Sequence, residues 1–457
     1  MTYKKISFYA LAIFGSVVFL TNCLLTKKEK PNVIIIYTDD QGSIDLNIYG
    51  AKDLQTPNMD ALVGSGVRFT QFYGAPVCSP SRAGLLTGKT PQRAGVPGNI
   101  PSVPVTKSGL QGSQYTMAEM FKDAGYNTAH IGKWHLGDQA GMLPNDQGFD
   151  YSFGHHVGCI DNFSHFYYWR GPNRHDLYRN GKEVFYDGEF FPSLMVKEAS
   201  EFLDKNKDKP FFMYYAMNTP HYPYQGTPEW LRYYQDKGVA YPRDLYAAFL
   251  STQDDKIGEL ISKLKSLDIY ENTIIIFQSD NGYSTEERAH FGGGDAGPYR
   301  GAKSCLFEGG FRVPAAITWS ERLPRNEIRD QFAVNADWMP TLAELCDIKL
   351  NTKDLDGKSL MPVIKNAKAK SQHNEIFSWQ HGNQWATRNG KWKLLGNPVD
   401  KTNKAPLTDD DKIFLVNLET DPGEMTNLAK KYPEKVKQLE SQFQLWLEGN
   451  KNSGLPI

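Results

Sequence analysis

Cysteine is scarce in this chain, with 5 in 457 residues. They stand at Cys23, Cys78, Cys159, Cys305 and Cys346, and no two form a C-x-x-C pair. That spacing excludes a disulfide-stapled scaffold and a cysteine-ligated zinc site. Surplus charge is also lacking: 51 Lys and Arg stand against 52 Asp and Glu, for a net charge of −1. No basic tract or charge block stands out, so nothing points to a nucleic-acid partner. No unit of about 20–50 residues recurs, which excludes solenoids and propellers. What is present is ordinary for a soluble globular protein: 40% hydrophobic, 23% charged and 13% aromatic residues. The length suffices for one large α/β domain and a smaller one.

One longer apolar run, Phe8 to Leu20, follows Lys4 and Lys5. It is short for a membrane span and the right length for the core of a signal peptide. It ends in Leu20-Thr21-Asn22-Cys23, which resembles a bacterial lipobox, although Asn22 stands where Gly or Ala is usual. On this reading residues 1–23 are a signal peptide ending at a lipidated Cys23, and residues 24–30 are a polar tether. A simply cleaved signal and a retained anchor are the alternatives. All three place the protein outside the cytoplasm, in the periplasm or at the cell surface.

Three apolar runs read as buried parallel strands that end in polar residues. Asn32–Thr38 runs into Asp39-Asp40, Pro210–Met217 ends near His221, and Thr273–Ser279 runs into Asp280-Asn281-Gly282. Helical patterns at 115–125, 193–206 and 244–267 lie between or beside them. The alternation predicts a large, mostly parallel α/β sheet covered by helices on both faces. In such sheets ligands gather beyond the carboxyl ends of the strands, where the acidic pairs and His221 fall. After about residue 370 the pattern changes. Short strands at 375–378, 384–388, 392–395 and 413–416, with a hairpin turn at Asn389-Gly390, precede a helix over 433–447. The expected division is a catalytic domain over 31–370 and a small antiparallel subdomain with one helix over 371–457.

The stretch Cys78-Ser79-Pro80-Ser81-Arg82 resembles the C-x-P-S-R signature of type I sulfatases. A second signature of that family is matched by Gly125-Tyr126-Asn127-Thr128-Ala129-His130-Ile131-Gly132-Lys133-Trp134-His135. Asn218-Thr219-Pro220-His221, Ser279–Gly282, Gly301-Ala302-Lys303, Glu308–Pro314 and Leu418–Glu424 extend the likeness over nearly all the mature chain. The resemblance implies an alkaline-phosphatase-like fold. It also implies that Cys78 is oxidised to formylglycine by a sulfatase-maturing enzyme. One hydroxyl of the hydrated aldehyde would attack sulfur, and the sulfated hydrate would then eliminate sulfate. Asp39, Asp40, Asp280 and Asn281, with residue 78, are implied ligands of one calcium ion, magnesium being the alternative. Hard oxygen donors suit such ions. Arg82 lies four residues after Cys78, on the same face of a helix. Lys133 is implied to contact nucleophile and sulfate, and His135 to act as the base for elimination. As strand neighbours two apart, they should share a face. His221, protonated, and Lys303 are implied at the leaving-group side.

Residues 153–190 read as a loop in which basic and aromatic side chains alternate. His155, His156, His165, Arg170, Arg174 and His175 are the substrate-binding candidates there. The segment Tyr283–Arg300, with His290 and Gly292-Gly293-Gly294, is a second candidate. Trp379, His381 and Trp385 are further residues that could reach the cleft. Rings stack on sugar faces, and Arg or His bind hydroxyls and anions. The expected activity is removal of sulfate from the ends of carbohydrate chains. The rival readings are a phosphate or phosphonate ester hydrolase of the same superfamily and a non-catalytic glycan-binding protein.

Overall fold

Asn32–Thr38 (β1) is apolar at almost every position because both of its faces are covered. In the computed structural model it lies in the middle of a ten-stranded sheet. The structure describes residues 30–102, 108–167, 169, 171–320, 322–374 and 376–451. The expected signal peptide, Cys23, the tether up to residue 29 and Arg170 lie outside the described residues. The other strands of the sheet are Val67–Phe69 (β2), Asn127–Lys133 (β3), Tyr151–His155 (β4), Tyr178–Arg179 (β5), Lys182–Glu183 (β6), Phe211–Ala216 (β7), Thr273–Ser279 (β8), Ala315–Thr318 (β9) and Glu327–Arg329 (β10). Their spatial order is β10-β2-β9-β8-β1-β7-β3-β4-β5-β6. The five central strands β8, β1, β7, β3 and β4 are mutually parallel, and antiparallel pairs flank them.

The side-chain period of two sorts the strand residues between two apolar layers. Val33, Ile35 and Tyr37 face the side covered by Cys78–Thr87 (a helix, α1), Met117–Asp123 (α2) and Trp338–Leu345 (α3). Ile34 and Ile36 face the side covered by Phe191–Asn206 (α4) and Arg243–Ser266 (α5). The mostly parallel, helix-covered sheet expected from the sequence is the one observed.

A separate antiparallel sheet holds Ile376–His381 (β11), Gln384–Asn389 (β12), Trp392–Gly396 (β13) and Ile413–Asn417 (β14) in that order. Gly390, at φ 58°, turns β12 into β13. One face of this sheet packs through Trp379, Leu395 and Val416 on Tyr73, Phe307 and Phe311 of the main body. Its other face packs through Leu394 and Leu415 on Leu439 of the final helix Pro433–Lys451. Lys393 is buried on the inner face, 2.9 Å from both Glu308 and Glu424, so a three-charge cluster crosses the junction. Pro31–Ile457 forms one compact unit.

The segment over 153–190 is not the loop that its composition predicts. Its chain supplies β4, β5 and β6 at one edge of the main sheet, and a two-stranded ribbon of Phe166-Tyr167 and Arg174-His175. Strands of two residues carry too little alternation to register as a period.

Candidate active site

Because the central strands run in parallel, their carboxyl ends open on one edge of the sheet. Asp39 and Asp40 follow β1, Asp280 and Asn281 follow β8, Lys133 ends β3, and His221 follows β7. Helix α1 starts at Cys78 beneath them. Gly74 permits its approach: a Cβ there would lie 2.1 Å from the Asp280 carbonyl oxygen. Ser81 Oγ donates to that same carbonyl at 2.7 Å and fixes the helix to the end of β8.

The charges form a dense, buried lattice. Lys133 Nζ lies 2.6 Å from Asp39 Oδ2. Lys303 Nζ lies 2.7 Å from Asp40 Oδ1. Arg82 donates to Asp280 Oδ2 at 3.0 Å and lies 3.4 Å from Asp39 Oδ1. Cys78 Sγ, also on α1, lies 3.4 Å from that Asp39 oxygen, so the expected pairing of positions 78 and 82 on one helix face is present. Burial pushes the Asp39 carboxyl up, but Lys133, His221, Arg82 and Lys303 together hold it well below its ordinary range. Burial raises Asp40, and Lys303 offsets this only in part. Burial and the neighbouring Asp39 push Asp280 up to about 7. Three carboxylates thus face one another in a dry site. Burial also holds the Cys78 thiol well above its usual value, which argues against a thiolate nucleophile.

Several donor atoms converge on one point. Ligand atoms of Asp39, Asp40, Cys78 and His221 all lie within 4.8 Å of one another. Asn281 donates through Nδ2 to Asp40 Oδ1 at 2.7 Å, while its buried Oδ1 has no partner. Asp280 is tied into the same lattice. Its Oδ1 accepts the backbone N–H groups of Asp40 and Asn281, and its Oδ2 accepts Arg82.

Burial disfavours the charged form of both site histidines. Burial, with Lys133 and Arg82 adding to it, pushes His135 well below its ordinary pKa. Its Nε2–H donates to the Ile100 carbonyl at 3.0 Å, so the buried, unpartnered Nδ1 carries the lone pair. The expected strand geometry of His135 is corrected: β3 ends at Lys133, and His135 lies past the strand at φ 53°. Burial likewise pushes His221 well below its usual value, and the nearby Asp39 opposes that shift. Its Nδ1–H donates to the Tyr222 carbonyl at 2.7 Å. The Nε2 lone pair then faces Asp40 Oδ2 at 3.6 Å, a contact that a cation or a proton would relieve.

A cavity of about 500 Å³ opens above Cys78. His135, His221 and Lys303 line it, together with Asn99, Ser102, Cys159, Tyr167, Tyr222, Glu286 and Arg288. The segment over 153–190 reaches the cavity through Gly158, Cys159 and Tyr167, while His155, His156, His165, Arg174, His175 and His290 do not line it. His155 is buried and its Nδ1 bonds the Val157 carbonyl. His156 stacks on Tyr178, and His165 bonds the Glu189 carbonyl. His175 pairs with Glu183, and Arg174 with Asp138 and Asp176. His290 is exposed and bonds Tyr241. All are occupied in shaping the sheet edge and its loops. Trp379 packs in the junction core, His381 lines a separate small hollow, and Trp385 stacks on Phe443. The segment Tyr283–Arg300 does reach the cavity, through Glu286 and Arg288 rather than His290.

Asn99 and Ser102 were not foreseen. Their signal lay in the second residue of the pentapeptide: Ser79 N–H donates to Asn99 Oδ1, and Ser79 Oγ accepts from Ile100 N–H, both at 3.0 Å. Ile100 in turn holds His135.

The sulfatase family model matches residues 31–348, and the model for the C-terminal region of N-sulphoglucosamine sulphohydrolase matches residues 301–451. N-acetylgalactosamine-6-sulfatase of Homo sapiens is 30% identical over 461 residues, covering 91% of this chain and 85% of the relative. Arylsulfatase A of Bos taurus is 31% identical over 465 residues, covering 91% and 88%. The solved structure of Ps i-CgsB superposes with a TM-score of 0.81 at 30% identity, over 92% of this chain and 93% of that one. The fold, the strand-end site and these likenesses agree: the chain belongs to the sulfatase family, and it is a sulfuric ester hydrolase.

Proposed function

We propose that this sulfatase removes sulfate from the ends of sulfated carbohydrate chains, using a formylglycine made from Cys78 and one divalent cation, calcium. The observation that carries the reading is the convergence of Cys78 with Asp39, Asp40 and His221 at the foot of a cavity. The donor set fits a hard cation: two carboxylates, and the buried, unpartnered amide oxygen of Asn281. Such an ion would draw charge from the sulfate oxygens and from the group at position 78. The hydrated aldehyde would offer one hydroxyl to accept the sulfate and a second from which a proton is later removed.

The chain's own residues supply the rest. Lys303 lines the cavity, and the buried Lys133 and Arg82 beneath it add fixed positive charge that would favour the sulfate oxygens. His135 presents a neutral Nδ1 and fits the base that takes the second hydroxyl proton, its tautomer set by Ile100. His221 Nε2 fits the group that first takes up a proton, a step favoured by Asp40 Oδ2 at 3.6 Å, and then hands it to the departing alcohol. The recess favours a chain end: Cys78 is 1% exposed and lies at the bottom. A sugar substrate is supported by relatives that carry sugar names and by Ps i-CgsB, which was solved with k-i-k-neocarrahexaose. A sulfatase-maturing enzyme acting on Cys78, and lipid attachment at Cys23 in a bacterial envelope, complete the reading. Among the described residues no helix is long and apolar enough to cross a membrane.

The test pairs peptide mass spectrometry across Cys78 with sulfate release from sulfated oligosaccharides. Protein made with a maturing enzyme should carry the aldehyde and release terminal sulfate only. Cys78→Ala should reduce release to the uncatalysed background. Full activity in that variant, or equal release from internal positions, would refute the mechanism or the end-acting reading respectively. Faster cleavage of phosphate esters of the same sugar would support the phosphoesterase reading.

A further inference from the structure

The cavity holds a second cationic group besides those that surround Cys78. Arg288 lies on the short helical turn Glu287–Ala289, between the end of β8 and Lys303. The turn is rigidly seated: Ala289 is fully buried, and Ala289 N–H donates to the Glu286 carbonyl at 2.9 Å. The guanidinium carbon lies 4.9 Å from the centroid of the Tyr222 ring and 5.8 Å from that of Trp169, two rings set at 77° to each other, so aromatic contacts bound it on two sides. Among the described residues Arg288 makes no hydrogen bond, and its only carboxylate neighbour is Glu286 at 3.5 Å. That Glu286 oxygen already accepts the Tyr222 hydroxyl. Lys303, the other cation lining the cavity, is paired with Asp40.

A guanidinium with one ion pair, no hydrogen bond among the described residues and aromatic contacts on two sides keeps donors for bidentate capture of an oxyanion. It is 38% exposed, so a ligand reaches it without displacing a buried partner. Arg288 is also not among the cations paired with Asp39, Asp40 or Asp280. We infer that Arg288, braced by Tyr222 and Trp169, is a specificity residue that binds a second anionic group of the substrate. The substrate class is then a saccharide bearing two anionic groups, one cleaved and one retained. The retained group is a sulfate ester or a uronate carboxylate, which share the same oxyanion chemistry. This inference rests on the carbohydrate reading above and names the class within it.

The test measures binding apart from turnover. Cys78→Ala protein with calcium is titrated calorimetrically with galactose, N-acetylgalactosamine and N-acetylglucosamine. Each is supplied as a monosulfate, as a disulfate, and as a monosulfate joined to a uronic acid. In at least one set a doubly charged member should bind at least about tenfold more tightly than its monosulfate, the scale of one or two charge-assisted hydrogen bonds. Which member gains identifies the retained group. Adding Arg288→Met should bring that ratio to about one, and Arg288→Lys should keep part of it, since charge persists without the fork. If no doubly charged member gains, or if the gain survives in Arg288→Met, the assignment is overturned and the Glu286 contact is the whole role of Arg288. Sulfate release by the converted wild type reports on the proposed function separately. Release without a binding preference overturns only the second-anion site. A preference without release overturns the mechanism and leaves that site standing.

Discussion

Replacing Lys133 by methionine tests the charge lattice at its tightest contact. Lys133 Nζ lies 2.6 Å from Asp39 Oδ2, and neither side chain is exposed. Removing one partner of a buried ion pair leaves an uncompensated charge and costs about 3–5 kcal/mol. Asp39 keeps Arg82 at 3.4 Å, which places the expected loss near the lower end, about 3 kcal/mol. For a unit of this length one kcal/mol moves the melting temperature by roughly 1 °C, so Tm should fall by about 3 °C in chelator. Calcium should then restore part of the loss. At a hundredfold excess over its dissociation constant a ligand adds about 2.7 kcal/mol. The ion should bind the variant more tightly, because Lys133 no longer repels it. The calcium-induced rise in Tm must therefore be larger in Lys133→Met than in the wild type. The pH dependence has a definite sign. The folded-state pKa of Asp39 lies below its unfolded value of 3.8 because surrounding cations outweigh burial. Its contribution is present above about pH 4 and is lost as pH falls through the folded pKa, so the gap between wild type and variant should close in acid. The assay is thermal unfolding in chelator and in calcium, from pH 7 down to about pH 3. A loss below about 1 kcal/mol, or a smaller calcium response in the variant, would show that Lys133 does not balance the carboxylates and that no cation takes its place.

His135→Asn should lower kcat by about a hundredfold or more while KM moves little, the behaviour of a group that transfers a proton in the transition state. Because burial and Lys133 keep His135 neutral, the acid limb of kcat/KM should lie below pH 6.5; a limb at or above that value, absent in the variant, would contradict the assignment. Lys393→Met should destabilise the fold by about 3 kcal/mol, since Glu424 would lose its cation while Glu308 keeps Arg312 at 3.2 Å. Acidification should rescue that variant more than the wild type, and a loss that is flat between pH 5 and 7, measured by urea unfolding, would count against the cluster as the charge balance of the junction.

The parallel core was legible because its strands announce themselves. A run such as Asn32–Thr38 is apolar on both faces only where helices cover both faces, and an acidic pair at its end has no core role. Position 78 and its partners could be placed because each follows such a strand or starts a helix beneath it. The cavity wall was not legible in the same way. His155, His156, His165 and His175 have side chains that bind sugars elsewhere, yet here their rings are packed and bonded to backbone or to Glu183. Residue type does not reveal which side of a short edge strand a ring occupies. His135 shows the opposite case. The identity was readable, but its direction depends on where β3 stops, and the left-handed backbone at 135 turns it by a route that strand alternation does not describe. The link from Ser79 through Ile100 to His135 is a tertiary chain of hydrogen bonds that no spacing encodes.

The burial of Cys78 sets an order of events. Its side chain begins a helix whose ten residues are all buried, and it is 1% exposed. On the proposed mechanism a modifying enzyme needs access to Cys78, which the folded chain buries. On the proposed mechanism, conversion therefore races against folding, and the contest is run once per molecule. A chain that folds first keeps its thiol beneath Asp39, with its metal donors and cavity wall intact but without a nucleophile. One gene then yields two products of the same shape: an enzyme, and a binder that occupies the same glycan without cutting it. The specific activity of a preparation would report the outcome of that race rather than the quality of the fold.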